Sequence, residues 1–120
     1  MRIKGQPSKY RAVRTTVDGV TFASKAEARR YSELRLLEKA GKVWGIELQP
    51  RYVLTVIGGE RKDYAHKIGT YVGDFSYYRV DEHGGSWLTI EDVKGFDTPL
   101  SKWKRKHVEA QYGITVQIVK

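Results

Sequence analysis

The chemically expressive residues of this chain are acids set among β-branched and aromatic neighbours. Two stretches hold them, Tyr71-Val72-Gly73-Asp74-Phe75 and Ile90-Glu91-Asp92-Val93-Lys94. Both sit in strand-like runs, Tyr71–Val80 and Ser86–Val93, and Asp81-Glu82-His83-Gly84-Gly85 between them reads as a turn. In a symmetric antiparallel hairpin centred on His83, Asp74 faces Asp92, Ser76 faces Ile90 and Val72 faces Lys94. Directly opposed residues share a face, with Cβ atoms about 4.5–5.5 Å apart, and like charges so placed repel. Lys94, two residues beyond Asp92, falls on the same face, whereas Glu91 turns away with Thr89 and Val93. A counterion, Lys94 or an arginine, is one way to hold such a pair. A divalent cation is the other, because Mg²⁺ is bound through one or two carboxylates, waters and phosphate oxygens.

A third acid, Glu27, belongs to Ser24-Lys25-Ala26-Glu27, a capping box that opens a helix. The helix runs to about Ala40 and stops at Gly41. Its apolar stripe is Tyr31, Leu34 and Leu37, and Glu27 lies on the same line one turn before Tyr31. Capping alone accounts for a glutamate there, but the stripe aims it inward.

The remaining elements follow from punctuation. Val13–Val17 and Val20–Phe22 flank Asp18-Gly19, a hairpin signal. Leu48 to Ile57 is extended and broken by Pro50, and residues 58–70 form a polar, glycine-bounded loop. Thr98-Pro99 opens a basic helix with Leu100, Trp103 and His107 on one face, Trp103 packing in the core, and Gly113 ends it. Ile114–Ile118 alternates as a last strand. The fold class is a small single α/β domain, with a mixed, mostly antiparallel central sheet and two main helices. Residues 1–12 form a basic arm and residues 13–120 the domain.

Composition bounds the chemistry. The chain has 120 residues, 40% of them hydrophobic, and no cysteine, which excludes disulfides, thiol catalysis and cysteine-held zinc. No apolar run is long enough for a membrane span, and the N-terminus lacks the apolar region of a secretory signal, so a cytoplasmic protein is expected. Net charge is +8, and all of the excess lies in two segments. Residues 1–14 carry +5 through Arg2, Lys4, Lys9, Arg11 and Arg14; residues 98–112 carry +3 through Lys102, Lys104, Arg105 and Lys106 against Glu109. Two basic runs around a neutral middle point to phosphate contacts. Neither is a long amphipathic helix of the kind that lies on membranes.

The ordered set of Glu27 on a first helix, Asp74 on a strand and Asp92-Val93-Lys94 on the next resembles the PD-(D/E)XK nuclease superfamily. The runs TTVDGVTFASKAEARRYSEL, LQPRY and EDVKGF resemble its small phage and prophage members, and the likeness spans roughly residues 10–118. A short chain with a glutamate on its first helix is similar to archaeal-type Holliday junction resolvases, which are homodimers that cut four-way DNA. Two departures stand out: Gly73 where the family name has proline, and Asp92 where junction resolvases usually have glutamate.

The resemblance implies a restriction-endonuclease-like core and metal-dependent, in-line phosphodiester hydrolysis. The implied metal ligands are Asp74, Asp92, the backbone carbonyl of Val93 and Glu27, holding Mg²⁺ with Mn²⁺ as substitute, and Lys94 assists the nucleophile or transition state. Lys102, Arg105 and Lys106 share a helical arc suited to DNA phosphates, Lys9, Arg11 and Arg14 extend that surface, and Gln111 is a further DNA contact. Three functions are compatible with the residues: a junction-resolving endonuclease, a nuclease acting on flaps, forks or nicked duplex, and a non-catalytic nucleic-acid-binding protein.

Overall fold

A computed structural model describes residues 13–60 and 64–120. The arm residues Lys9 and Arg11 lie outside the described residues, and Arg14 is exposed just ahead of the first strand. The elements are β1 (Thr15–Val17), β2 (Val20–Phe22), α1 (Lys25–Lys39), β3 (Val43–Leu48), β4 (Arg51–Ile57) and β5 (Ala65–Val72). They continue with β6 (Phe75–Val80), β7 (Ser86–Val93), α2 (Pro99–Tyr112) and β8 (Val116–Val119). The central sheet has the order β3-β6-β7-β8; β1-β2 and β4-β5 are separate two-stranded ribbons. Strands β3, β6 and β7 are antiparallel neighbours, while β8 runs parallel to β7 after the α2 crossover. The molecule is thus a small α/β domain with a mixed, mostly antiparallel sheet and two helices.

Local signals set the element ends. Asp18 and Gly19, with φ of 50° and 78°, form the β1–β2 turn. Ser24 caps α1 by accepting from the Glu27 backbone N–H at 3.2 Å, and Gly41 leaves the helix in the left-handed region at φ 73°. Thr98 caps α2 by accepting from the Ser101 N–H, and Gly113 closes it at φ 65°. At the β6–β7 turn, the Asp81 carboxylate accepts from the backbone N–H groups of His83 and Gly85.

Each face of the sheet has its own core. Phe75, Tyr77 and Val43 pack against Phe22 and the α1 residues Ala28, Tyr31 and Leu34. On the opposite face, Ile90 and Val116 meet Leu54, Tyr71 and the α2 residue Val108. The α1 stripe therefore packs as its spacing predicts, but α2 does not. Its buried residue is Val108, whereas Leu100 and Trp103 are 63% and 75% exposed. The face assigned to the core points outward.

Two further expectations change. Residues 58–70 are not wholly loop, because β5 starts at Ala65 and pairs with β4 as a ribbon. Most of β5 is exposed, so it carries no alternation of buried and solvated positions from which a strand could be read. Nor is Tyr71–Val80 one strand. It divides at Gly73-Asp74, so Val72 pairs with Arg51 and not Lys94. The Gly73 N–H donates to the Pro50 carbonyl, and a Cβ at Gly73 would lie 2.9 Å from Ile90 Cγ2. Only glycine fits this crossing without displacing a fully buried isoleucine.

The α1 side of β7 buries a charge. Glu91 is fully buried and receives Arg30 through Nε at 2.8 Å and Nη2 at 2.6 Å, with the Tyr77 hydroxyl also donating to it. Removing one partner of such a pair strands the other without compensation. Arg30→Ala is expected to cost about 3–5 kcal/mol in urea unfolding. The double variant Arg30→Ala/Glu91→Gln is expected to recover part of that loss, because no bare carboxylate remains inside.

Candidate functional site

The β6–β7 register is the one the symmetric hairpin predicts, with Ser76 opposite Ile90 and Phe75 opposite Glu91. One step further, Asp74 arrives beside Asp92 where the two-stranded ladder ends. There the Asp74 side chain takes over a backbone role: its Oδ2 accepts the Val93 N–H at 2.7 Å, while its own N–H donates to the Glu91 carbonyl. This fixes the carboxylate against the β7 peptide that carries Asp92 and Lys94. Asp92 is buried and accepts a hydrogen bond from the Tyr71 hydroxyl. Consecutive acids on β7 thus face opposite ways, Glu91 toward α1 and Asp92 toward Tyr71, as alternation requires.

Glu27 stands half-buried at the start of α1. It is both a cap-region residue and a member of the acidic group. Burial raises its pKa, the Ser24 side chain and the Ala23 backbone pull it back down, and the Asp92 charge raises it further. Asp74 is pushed up to about 6, first by burial, with the Val93 N–H opposing and the charges of Glu27 and then Asp92 adding to the rise. Lys94 acts on Asp74 in the opposite sense. The four residues singled out from the sequence therefore lie within electrostatic reach of one another. Among the described residues, no group of three or more His, Cys, Asp or Glu side chains is placed to hold a metal ion.

Two grooves meet at Lys94. One, of about 820 Å³, is lined by Glu27, Lys94, Phe96, Thr98 and Lys120 among others; the other, of about 300 Å³, by Tyr71, Asp92, Lys94, Ser101 and Lys104. Acids and lysines thus share a continuous concave surface at the N-terminal ends of α1 and α2.

The basic helix splits into different roles. Lys102 and Lys106 are exposed, as a phosphate-binding surface requires. Arg105 forms a bidentate pair with Asp97, both bonds at 2.7 Å, and so braces the α2 entry. Gln111 bonds the Thr55 N–H, the Thr55 hydroxyl and the Val53 carbonyl, tying α2 to β4. The sequence expectation for both is a DNA contact; the structure shows their polar groups bonded within the fold. Sequence reasoning missed Tyr71 and Arg30, which secure Asp92 and Glu91. Tyr71 precedes Asp74 by three residues, but only the break at Gly73 brings its hydroxyl to Asp92.

A carboxyl group with a raised folded-state pKa favours folding when protonated, and that contribution is lost as pH rises through the folded value. For Asp74 the window lies between its ordinary value of 3.8 and about 6. Asp74→Asn keeps an acceptor for the Val93 N–H and removes the charge. After allowance for partial exposure, it is expected to stabilise the protein by about 1–2 kcal/mol near pH 7.5. The advantage should disappear near pH 3.5, which unfolding midpoints of both proteins across that range will check.

No curated protein and no solved structure matches the chain. Residues 7–119 match the family model described as Protein of unknown function (DUF1064). The match takes in both ribbons, both helices, the acids that line the two grooves and every groove lysine but Lys120, so the chain belongs to the DUF1064 family.

Proposed function

We propose that this protein is a metal-dependent, structure-specific DNA endonuclease of the PD-(D/E)XK type, acting on four-way junctions. The observation that carries the reading is the Asp74–Asp92–Lys94 arrangement at the end of the β6–β7 ladder, with Glu27 facing it from α1. Three acids whose charges oppose one another are costly unless a cation joins them. The donor set fits Mg²⁺: all ligating atoms are hard oxygens, and two carboxylates with waters are its usual protein complement. Asp74 and Asp92 would hold the ion, with Glu27 and the Val93 carbonyl completing the protein ligands. When bound, the ion would lower the pKa of an attacking water and offset charge on the phosphate.

The chain's own residues supply the rest. Asp74 is held in place by the Val93 N–H and Asp92 by the Tyr71 hydroxyl, so neither carboxylate must reorganise to act. Lys94, shared by both grooves, is suited to orient the nucleophile and to stabilise the negative charge that builds up on the phosphoryl oxygens. The exposed Lys102 and Lys106 would bind phosphates flanking the scissile bond without reading sequence. A homodimer, with one such site per protomer, would deliver the paired cuts that resolve a junction.

Labelled four-way junction, flap, nicked and plain duplex DNA, incubated with Mg²⁺, Mn²⁺ or EDTA, test the reading directly. Paired cleavage of the junction, abolished by EDTA, is expected. Asp74→Asn and Lys94→Ala should each lower the cleavage rate by at least about a hundredfold while leaving DNA binding in place. Preferred cutting of flaps or nicked duplex would reassign the substrate. Binding without cleavage under every condition would leave only a DNA-binding protein.

A further inference from the structure

The outward face of the α2 entry presents large apolar side chains to solvent. Phe96 is 79% exposed, Leu100 63% and Trp103 75%. The buried side of α2 is already supplied by Val108, and Arg105, His107 and Gln111 anchor the helix to Asp97 and to β4. Phe96 lines the larger groove with Glu27 and Lys94, and Leu100 lines the smaller one with Asp92 and Lys94. Trp103 stands one turn beyond Leu100 on the same side of the helix, between the exposed Lys102 and Lys104.

Single exposed apolar residues are ordinary, but Phe96 and Leu100 in grooves that each hold an acid and lysines, with Trp103 exposed one turn further along α2, are not. A protein-binding patch would be depleted of charge at its centre, and a membrane-seeking one would need a long apolar face. Rings interleaved with lysines instead match the surface that binds single-stranded nucleic acid, where cations follow the backbone and aromatics stack on the bases. Intact duplex presents phosphates and base edges to a protein, and its base faces are covered by their neighbours. A ring can stack only where pairing is interrupted.

Resting on the nuclease reading, we propose that Phe96 and Trp103 form a stacking platform for unpaired nucleotides beside the acidic site. They thereby select DNA whose strands separate near the scissile phosphate. The charge carried by Lys94, Lys102 and Lys104 holds the backbone, and the rings confer the preference for unstacked bases.

The test is equilibrium binding of the full chain to labelled oligothymidine and to matched duplex, by fluorescence anisotropy in EDTA so that no strand is cut. Phe96→Ala and Trp103→Ala are each expected to weaken oligothymidine binding roughly fivefold to a hundredfold. Duplex binding should change less than about twofold. Phe96→Tyr and Trp103→Phe, which keep a ring, should restore most of the affinity. Both side chains sit on the surface, and unchanged melting of the four variants will verify folding. Alanine variants that bind oligothymidine like the parent, or that lose duplex and oligothymidine affinity equally, would overturn the platform. Failure of the nuclease reading shows itself separately, as absent cleavage by a protein whose ring-dependent binding is intact.

Discussion

Strand β7 must carry two consecutive carboxylates through a sheet that is covered on both sides, and most of the molecule is arranged around that constraint. Alternation sends Glu91 to one face and Asp92 to the other. The two acids are then stabilised by opposite means. Glu91 is neutralised by a bidentate arginine and a tyrosine hydroxyl, so its charge is consumed within the fold. Among the described residues, Asp92 receives only the Tyr71 hydroxyl, beside a groove that also contains Lys94 and Lys104. One acid locks α1 to the sheet; the other keeps coordinating capacity at a surface. The Arg30 bridge and the position of Glu27 are linked through α1, because both side chains project from its first two turns.

Much of this was legible in the sequence, and the reasons are local. The hairpin pairing follows from the symmetric Asp81–Gly85 turn, whose own carboxylate enforces the geometry. Caps at Ser24 and Thr98 and left-handed glycines at 41 and 113 mark both helices without reference to anything distant. The opposed faces of Glu91 and Asp92 follow from strand alternation alone. What could not be read depends on contacts remote in the chain. The break at Gly73 arises because Pro50 and Ile90 close on one point, and the strand character of residues 65–70 depends on a partner ribbon that leaves it largely exposed. The helical wheel of α2 misleads for a similar reason. Its apolar stripe has the spacing of a core face, yet Val108 is the residue of α2 that is buried.

Charge distribution acquires a different meaning once side-chain partners are known. Of the four basic residues on α2, Arg105 is committed to Asp97, and Lys104 also donates to the Thr70 carbonyl at 3.3 Å. The basic helix therefore offers a narrower cationic surface than its composition implies, made by the exposed Lys102, Lys104 and Lys106 and continued by Lys94 and Lys120 along the grooves. A narrower surface is a better guide. Evenly spread charge would attract any polyanion in any orientation, whereas lysines confined to one rim would, in the proposed function, place a phosphate backbone across the acids.

Acids at the centre of that rim would repel the same backbone. Their burial already pushes Asp74 and Glu27 toward the protonated form, and repulsion from neighbouring acids and from an approaching phosphate acts in the same direction. A fold selected only to bind DNA gains nothing from keeping these groups there. Replacing them with neutral residues would improve both stability and affinity. Their placement beside that rim has a physical rationale if, as proposed, a cation joins them. Confining like charges next to a polyanion is costly whatever the family likeness.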